Sequence, residues 1–205
     1  MIGILGGTFD PVHYGHLRPA LEVMESLALE QMRFIPNSIP PHREQPWLDS
    51  QQRLQLLQLA IGDQPGFELD QRELERTGHS YMVDTLASLQ DDFPGAGLCL
   101  VLGMDAFMGL KDWHQWQRIP GLCHLVVTTR PGAVLDQAFL QDIPAELVNS
   151  ADELGLKAHG RILLKSVTQL DISASQIRQA LKQGRSARYL MPDAVYDKLL
   201  TMVND

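Results

Sequence analysis

Two stretches of the chain, residues 98–102 (LCLVL) and 122–127 (LCHLVV), are almost unbroken apolar runs. A strand of that kind is covered on both faces, which is the situation inside a parallel sheet flanked by helices. Other strand-like runs fall at Ile2–Leu5, Met32–Ile35 and Arg161–Val167, and Phe67–Leu74 alternates as an edge strand would. Between them lie helix-periodic segments. Leu17, Leu21, Met24, Leu27 and Ala28 form one stripe, and Leu54, Leu57 and Ile61 form a second. Pro19 belongs in a first turn, so the first helix is predicted to begin near Gly15 or His16; the second is capped by Ser50 and ended by Gly62. Val83–Leu89 is also helical, as are Ser173–Gln183, closed by Gly184, and a final segment from Pro192. Residues 131–159 give no clear boundaries beyond one or two short helices. Strands alternating with helices in this order predict an α/β fold: one doubly wound, mainly parallel sheet with a small C-terminal helical part. The expected organisation is a single domain over 1–205, with an α/β core at 1–170 and C-terminal helices at 171–205.

Charge and cysteine content narrow the partners. The net charge is −8 and the acidic residues are spread along the whole chain. Nucleic acid is therefore not an expected partner, because it calls for a basic face. No apolar run approaches a membrane span, and Met1 leads straight into a strand with no basic region before it, so a cytoplasmic protein is expected. Cys99 and Cys123 lie inside apolar runs and read as buried thiols. Oligomeric state is left open by these features.

The densest cluster of special residues is Gly6–His16, GGTFDPVHYGH, between the first strand and the first helix. A glycine-rich strand-to-helix connection brings backbone N–H groups and the positive end of a helix to the carboxyl edge of a sheet, where a phosphate binds well. Neither the dinucleotide fingerprint nor the G-K-[ST] phosphate loop is present. His13 and His16 suit hydrogen bonds to phosphate oxygens; as metal ligands they lack an evident third partner. The segment 37–49, with three prolines and no apolar periodicity, is a long loop of the kind that often carries function. Near the other end, Ile172–Arg178 (ISASQIR) opens a helix. Ser173 and Gln176 make a capping box, while Ser173, Ser175 and Arg178 together present hydroxyls and a guanidinium to an anion.

GGTFDPVHYGH resembles the HxGH signature of the adenylyl- and cytidylyl-transferase superfamily, and ISASQIR resembles its ISxTxxR motif, with Ser175 in the usual Thr position. The segments PNSIPPHR (36–43), GHSYMVDTL (78–86), GMDAF with Trp113, and TTRPG (128–132 region) resemble bacterial nicotinate-nucleotide adenylyltransferases, over most of the chain. The resemblance implies a Rossmann-like nucleotidyltransferase fold. It implies transfer of AMP from ATP to nicotinate mononucleotide, with Mg²⁺ carried by the ATP rather than by a protein metal site.

The same resemblance assigns residues. Gly6, Gly7, Thr8, Phe9, His13, His16, Gly103, Asp105, Ile172, Ser173, Ser175 and Arg178 would bind ATP, with His13, His16 and Arg178 catalytic. Trp113 would stack on the pyridine ring, backbone groups near Met82 and His114 would meet its carboxylate, and His42, Arg43 and Arg130 would approach phosphate. Met82 stands where many relatives have Thr, which leaves nicotinamide mononucleotide, or another small phosphate acceptor, as the alternative substrate. A non-catalytic nucleotide-binding regulator on the same fold is the alternative of a different class.

Overall fold

A computed structural model describes residues 1–38, 45–129 and 137–204. Among these residues seven strands form one sheet in the order β3-β2-β1-β4-β5-β7-β6, and every pairing is parallel. They are β1 (Ile2–Gly7), β2 (Gln31–Pro36), β3 (Phe67–Leu69), β4 (Leu98–Gly103), β5 (His124–Thr129), β6 (Glu146–Val148) and β7 (Arg161–Ser166). The order runs one way from β1 to β3 and the other way from β4, so the strand order reverses between β1 and β4. In such sheets the crevice at the carboxyl ends of the two diverging strands is the natural binding place.

The helices divide between the two faces. One face packs α1 (Tyr14–Ser26), α2 (Ser50–Ile61), α8 (Ala174–Lys182) and α9 (Asp193–Asn204) around Val23, Phe34, Leu57, Ile177, Val195 and Leu199. The other packs α4 (Met82–Asp92) and α5 (Met104–Met108) around Ile4, Leu86, Leu100, Phe107 and Leu125. Short helices α3 (Arg72–Glu75), α6 (Gln137–Gln141) and α7 (Ala151–Leu154) complete the chain. The C-terminal helices thus share the core of the sheet rather than forming one of their own. Cys99 and Cys123 are buried free thiols. Among the described residues no helix is long and apolar enough to cross a membrane.

Several boundaries differ from the sequence reading for physical reasons. Only Phe67–Leu69 of the segment 67–74 is a strand. Asp70 then turns inward, its carboxylate taking hydrogen bonds from Arg33 Nε at 3.0 Å and from Arg72, whose backbone opens α3. Asp49, not Ser50, caps α2: its side chain accepts from Gln52 N at 2.8 Å, and Gln52 reaches back to Asp49 N. Helix α1 starts at Tyr14, so Pro19 is its sixth residue and interrupts the ladder instead of opening it; the helix stops at Ser26, ahead of Ala28 at φ 47°. Strand β5 begins at His124, because Leu122 still belongs to the preceding 3-10 turn. The three-residue strand β6, within the stretch without readable boundaries, is an addition.

Candidate functional site

The loop after β1 is held in one shape by unusual local chemistry. His13 is the N-cap of α1. Its Nδ1 accepts from Gly15 N at 3.1 Å, while His16 Nδ1 accepts from His13 N at 3.3 Å. An imidazole nitrogen that accepts from an N–H carries no proton, so both rings hold theirs on Nε2. The rings lie 3.9 Å apart, and Phe9, in the left-handed region at φ 49°, sets its ring edge-on to His16 at 5.1 Å. A buried phenylalanine at positive φ is a strained choice that persists only where its surroundings enforce it.

Burial lowers the pKa of His13 to about 4; for His16, burial and then repulsion from His13 lower it to about 3. At neutral pH each imidazole is therefore an uncharged donor with one Nε2–H, not a cation. A stability consequence follows. The unfolded chain binds these protons below about pH 6.5 and the folded chain does not, so stability is full above that pH and falls on acidification. Between pH 7.5 and 5, His13 alone should cost about 2 kcal/mol in urea unfolding, with His16 adding in the same direction. A His13→Asn variant, whose amide oxygen still caps α1, should flatten that decline; an unchanged slope would overturn the assignment.

Asp10 ties three distant segments together. Its carboxylate accepts from Trp47 N at 2.8 Å and Leu48 N at 3.0 Å. Its backbone carbonyl accepts from Arg178 at 2.6 Å, and Arg178 Nη2 donates to Ser175 Oγ at 3.1 Å. Ser173 Oγ accepts from Gln176 N, and Gln176 returns a bond to Ser173 N, which is the anticipated capping box at the start of α8. The two sequence motifs approach closely: a Cβ on Gly15 would stand 3.0 Å from the Ile172 carbonyl and 2.9 Å from the His13 ring, so a side chain there would press the seam apart. The result is a cavity of about 740 Å3 lined by Gly7, Thr8, His16, Ser175, Arg178 and Lys182. Backbone N–H groups at the start of α8, two cationic side chains and the His16 imidazole suit a polyphosphate.

A second cavity, of about 570 Å3, adjoins the first and shares Gly7, Thr8 and His16 with it. It opens between the ends of β1 and β4 and is lined by Gly103, Tyr81, Met82, Trp113 and His114. Tyr81 stacks on His114 with ring centroids 4.1 Å apart. Tyr81 is also the N-cap of α4 and provides no side-chain cap, so that helix starts at the cavity-lining Met82 without a side-chain competitor for its first N–H groups. The Met82 side chain lies over Gly6, where a Cβ would stand 2.6 Å from its methyl carbon. Glu73, buried among these residues, accepts from Thr85 Oγ1 at 2.7 Å, and burial raises its pKa.

The sequence-predicted residues are thus distributed unevenly. Gly6, Gly7, Thr8, Phe9, His16, Gly103, Met82, Trp113, His114, Ser175 and Arg178 line the two cavities. His13 lies behind them as the buried cap of α1, and Ser173 and Ile172 act at the seam between α8 and α1. Asp105 is exposed on the first turn of α5, whose N-cap is Gly103. His42, Arg43 and Arg130 lie outside the described residues. Sequence reasoning missed Asp10 and Tyr81, whose contacts are with partners far away in the chain.

Residues 4–180 match the model of the cytidylyltransferase-like family, so the chain belongs to a nucleotidyltransferase class of α/β proteins. A protein of Halorhodospira halophila named "Probable nicotinate-nucleotide adenylyltransferase" is 47% identical over 201 residues, covering 97% of this chain and 92% of the relative. One of the same name from Methylococcus capsulatus is 48% identical over 200 residues, covering 96% and 95%. The structure of Plasmodium falciparum nicotinic acid mononucleotide adenylyltransferase complexed with NaAD superposes with a TM-score of 0.75 over 98% of this chain and 95% of that one; at 15% identity it attests the fold. Within the class, this chain belongs to the nicotinate-nucleotide adenylyltransferase family.

Proposed function

We propose that the cleft joins the AMP part of ATP to nicotinate mononucleotide, giving deamido-NAD and pyrophosphate. One observation carries the reading: two cavities, one rich in phosphate donors and one flanked by aromatic rings and an uncapped helix start, meet along a wall made by Gly7, Thr8 and His16. A bond formed between two substrates requires such a meeting point.

The acceptor's 5′-phosphate is largely dianionic at neutral pH, since its second pKa is about 6, and needs no general base. One of its oxygens attacks the α-phosphorus of ATP, the bond from that phosphorus to the α–β bridging oxygen breaks, and pyrophosphate leaves with the electron pair. The enzyme's contribution is alignment and neutralisation of charge. His16, which borders both cavities, would donate its Nε2–H to the α-phosphate oxygens. Ser175, Arg178, Lys182 and the start of α8 would hold the departing pyrophosphate.

Mg²⁺ enters this scheme on the nucleotide. Among the described residues no group of three or more His, Cys, Asp or Glu could hold a metal, and both Asp10 carboxylate oxygens already accept backbone N–H groups. The cleft's donor set thus fits phosphate oxygens, and the ion's own ligands would be phosphate and water. No step above is routed through it.

The acid is favoured over the amide because the α4 N-terminus offers donors and a positive dipole end, which complement a carboxylate. The test is pyrophosphate release with ATP, Mg²⁺ and each mononucleotide in turn. Nicotinate mononucleotide should exceed the amide in kcat/KM by roughly 100-fold. Absence of release with both would overturn the proposal.

A further inference from the structure

Arg53 is a buried cation that the transfer scheme leaves unused. It projects from α2 and is 1% exposed. Nη1 donates to the Thr8 carbonyl at 2.7 Å, and Nη2 donates to the Ser38 carbonyl at 3.1 Å and to Ser50 Oγ at 3.3 Å. Nε is buried without a partner, and among the described residues no carboxylate forms an ion pair with this guanidinium. Asp10 and Asp49 are near enough to favour its charge, but burial outweighs them and lowers its pKa.

Stability of the fold does not explain such an arrangement. Helix α2 already packs through Leu54, Leu56, Leu57 and Ile61. A buried guanidinium held on carbonyl oxygens gives up more hydration than an apolar side chain of the same size would. What Arg53 does is local. The β1–β2 ladder ends at the pair Gly7↔Pro36, and the two chains then diverge. Thr8 is one residue past that end on one side and Ser38 is two past it on the other. Asn37 makes the first tie across the gap, through its backbone N–H to the Gly7 carbonyl at 3.0 Å and its side-chain amide to Thr8 Oγ1 at 3.4 Å. Arg53 makes the second, from beneath.

We propose that Arg53 is a positioning residue for nucleotidyl transfer: its forked guanidinium clasps Thr8 to Ser38 and so fixes the wall that the two substrate cavities share. The inference rests on the transfer reading given above. Thr8 and Gly7 border both cavities, and Ser38 begins the approach to residues 39–44. Movement of this wall alters the line between the two phosphates without removing any group that touches them.

The test uses Arg53→Met and Arg53→Lys in the full chain. Arg53→Met should stay folded, with a thermal midpoint within roughly 5 °C of the parent, because an apolar side chain of similar length replaces a desolvated charge. Its kcat should fall roughly 30- to 100-fold, the penalty of misaligned reactants. Affinity for an unreactive ATP analogue, measured alone by calorimetry, should change less than about threefold, since no phosphate contact is lost. Arg53→Lys should give an intermediate kcat, because one ammonium lacks the planar fork. Hydrogen exchange should quicken at amides 6–10 and 37–38 in Arg53→Met and stay unchanged in β4 and β5. A kcat within twofold of the parent, or a fall in kcat matched by equal losses of folded protein or ATP affinity, would overturn the proposal. If the parent itself releases no pyrophosphate, the transfer reading fails on its own, and exchange at 6–10 still decides the clasp: no change there overturns it.

Discussion

Replacing His16 with alanine should lower kcat for pyrophosphate release roughly 100- to 1,000-fold, the range seen when one preorganised transition-state donor is removed. His16 borders both cavities, and its proton sits on Nε2 because His13 N donates to Nδ1 at 3.3 Å. A neutral imidazole is well suited to this place. It meets an oxyanion without first being stripped of a counter-ion, and it cannot lose its donor by titration near neutrality. The structural cost of the substitution is small by comparison. Losing the long return bond of the capping box removes about 1 kcal/mol at most, which a circular dichroism melt would register as a shift of a few degrees. Folded His16→Ala protein with turnover within twofold of the parent would refute the assignment.

Arg178→Ala should be as damaging, through a different quantity. Arg178 binds the Asp10 carbonyl at 2.6 Å and the Ser175 hydroxyl at 3.1 Å, and it lies 3.5 Å from the Asp10 carboxylate. Asp10 in turn anchors Trp47 and Leu48. Removing the guanidinium therefore takes a cation out of the polyphosphate cavity and frees the seam between α8 and the opening loop. Two charge-assisted hydrogen bonds at about 1.5–3 kcal/mol each correspond to a fall of roughly 1,000-fold in kcat/KM for ATP. Lysine should recover less than about tenfold of that, because a point charge cannot reach Asp10 and Ser175 in one fork. Steady-state kinetics of the two variants, with ATP varied at saturating acceptor, separates these outcomes. Full recovery by lysine would show that charge alone matters at this position.

The parts of the site legible in the sequence are those whose signal is local. GGTFDPVHYGH announces a strand, a tight connection and a helix start within eleven residues, and ISASQIR announces a capped helix with a cation on its first turns. Asp10 sits inside the first of these and still gave no sign of its role. Its partners are 37, 38 and 168 residues away, and an aspartate before a proline is an ordinary turn residue. Arg53 was hidden for the same reason: on a helix it looks like any solvated arginine until the fold brings Thr8 and Ser38 over it. The misread strand at 67–74 shows the opposite failure. Its alternation is real, but two arginines capture Asp70 and end the strand after Leu69. The cap of α2 was displaced by one residue because Asp49 and Ser50 are both good caps, and the choice between them lies in which one faces Gln52 N.

The contact between Gly15 and Ile172 has a consequence for how the protein comes into being. The phosphate cavity has one wall at residues 7–16 and the other at 174–182, so during synthesis the first wall waits, incomplete, for a segment that leaves the ribosome much later. A product ended before α8 lacks that second wall, and with it the part of the core supplied by Ile177, Val195 and Leu199. Competence therefore belongs to neither motif alone, but to the meeting of two segments made at different times.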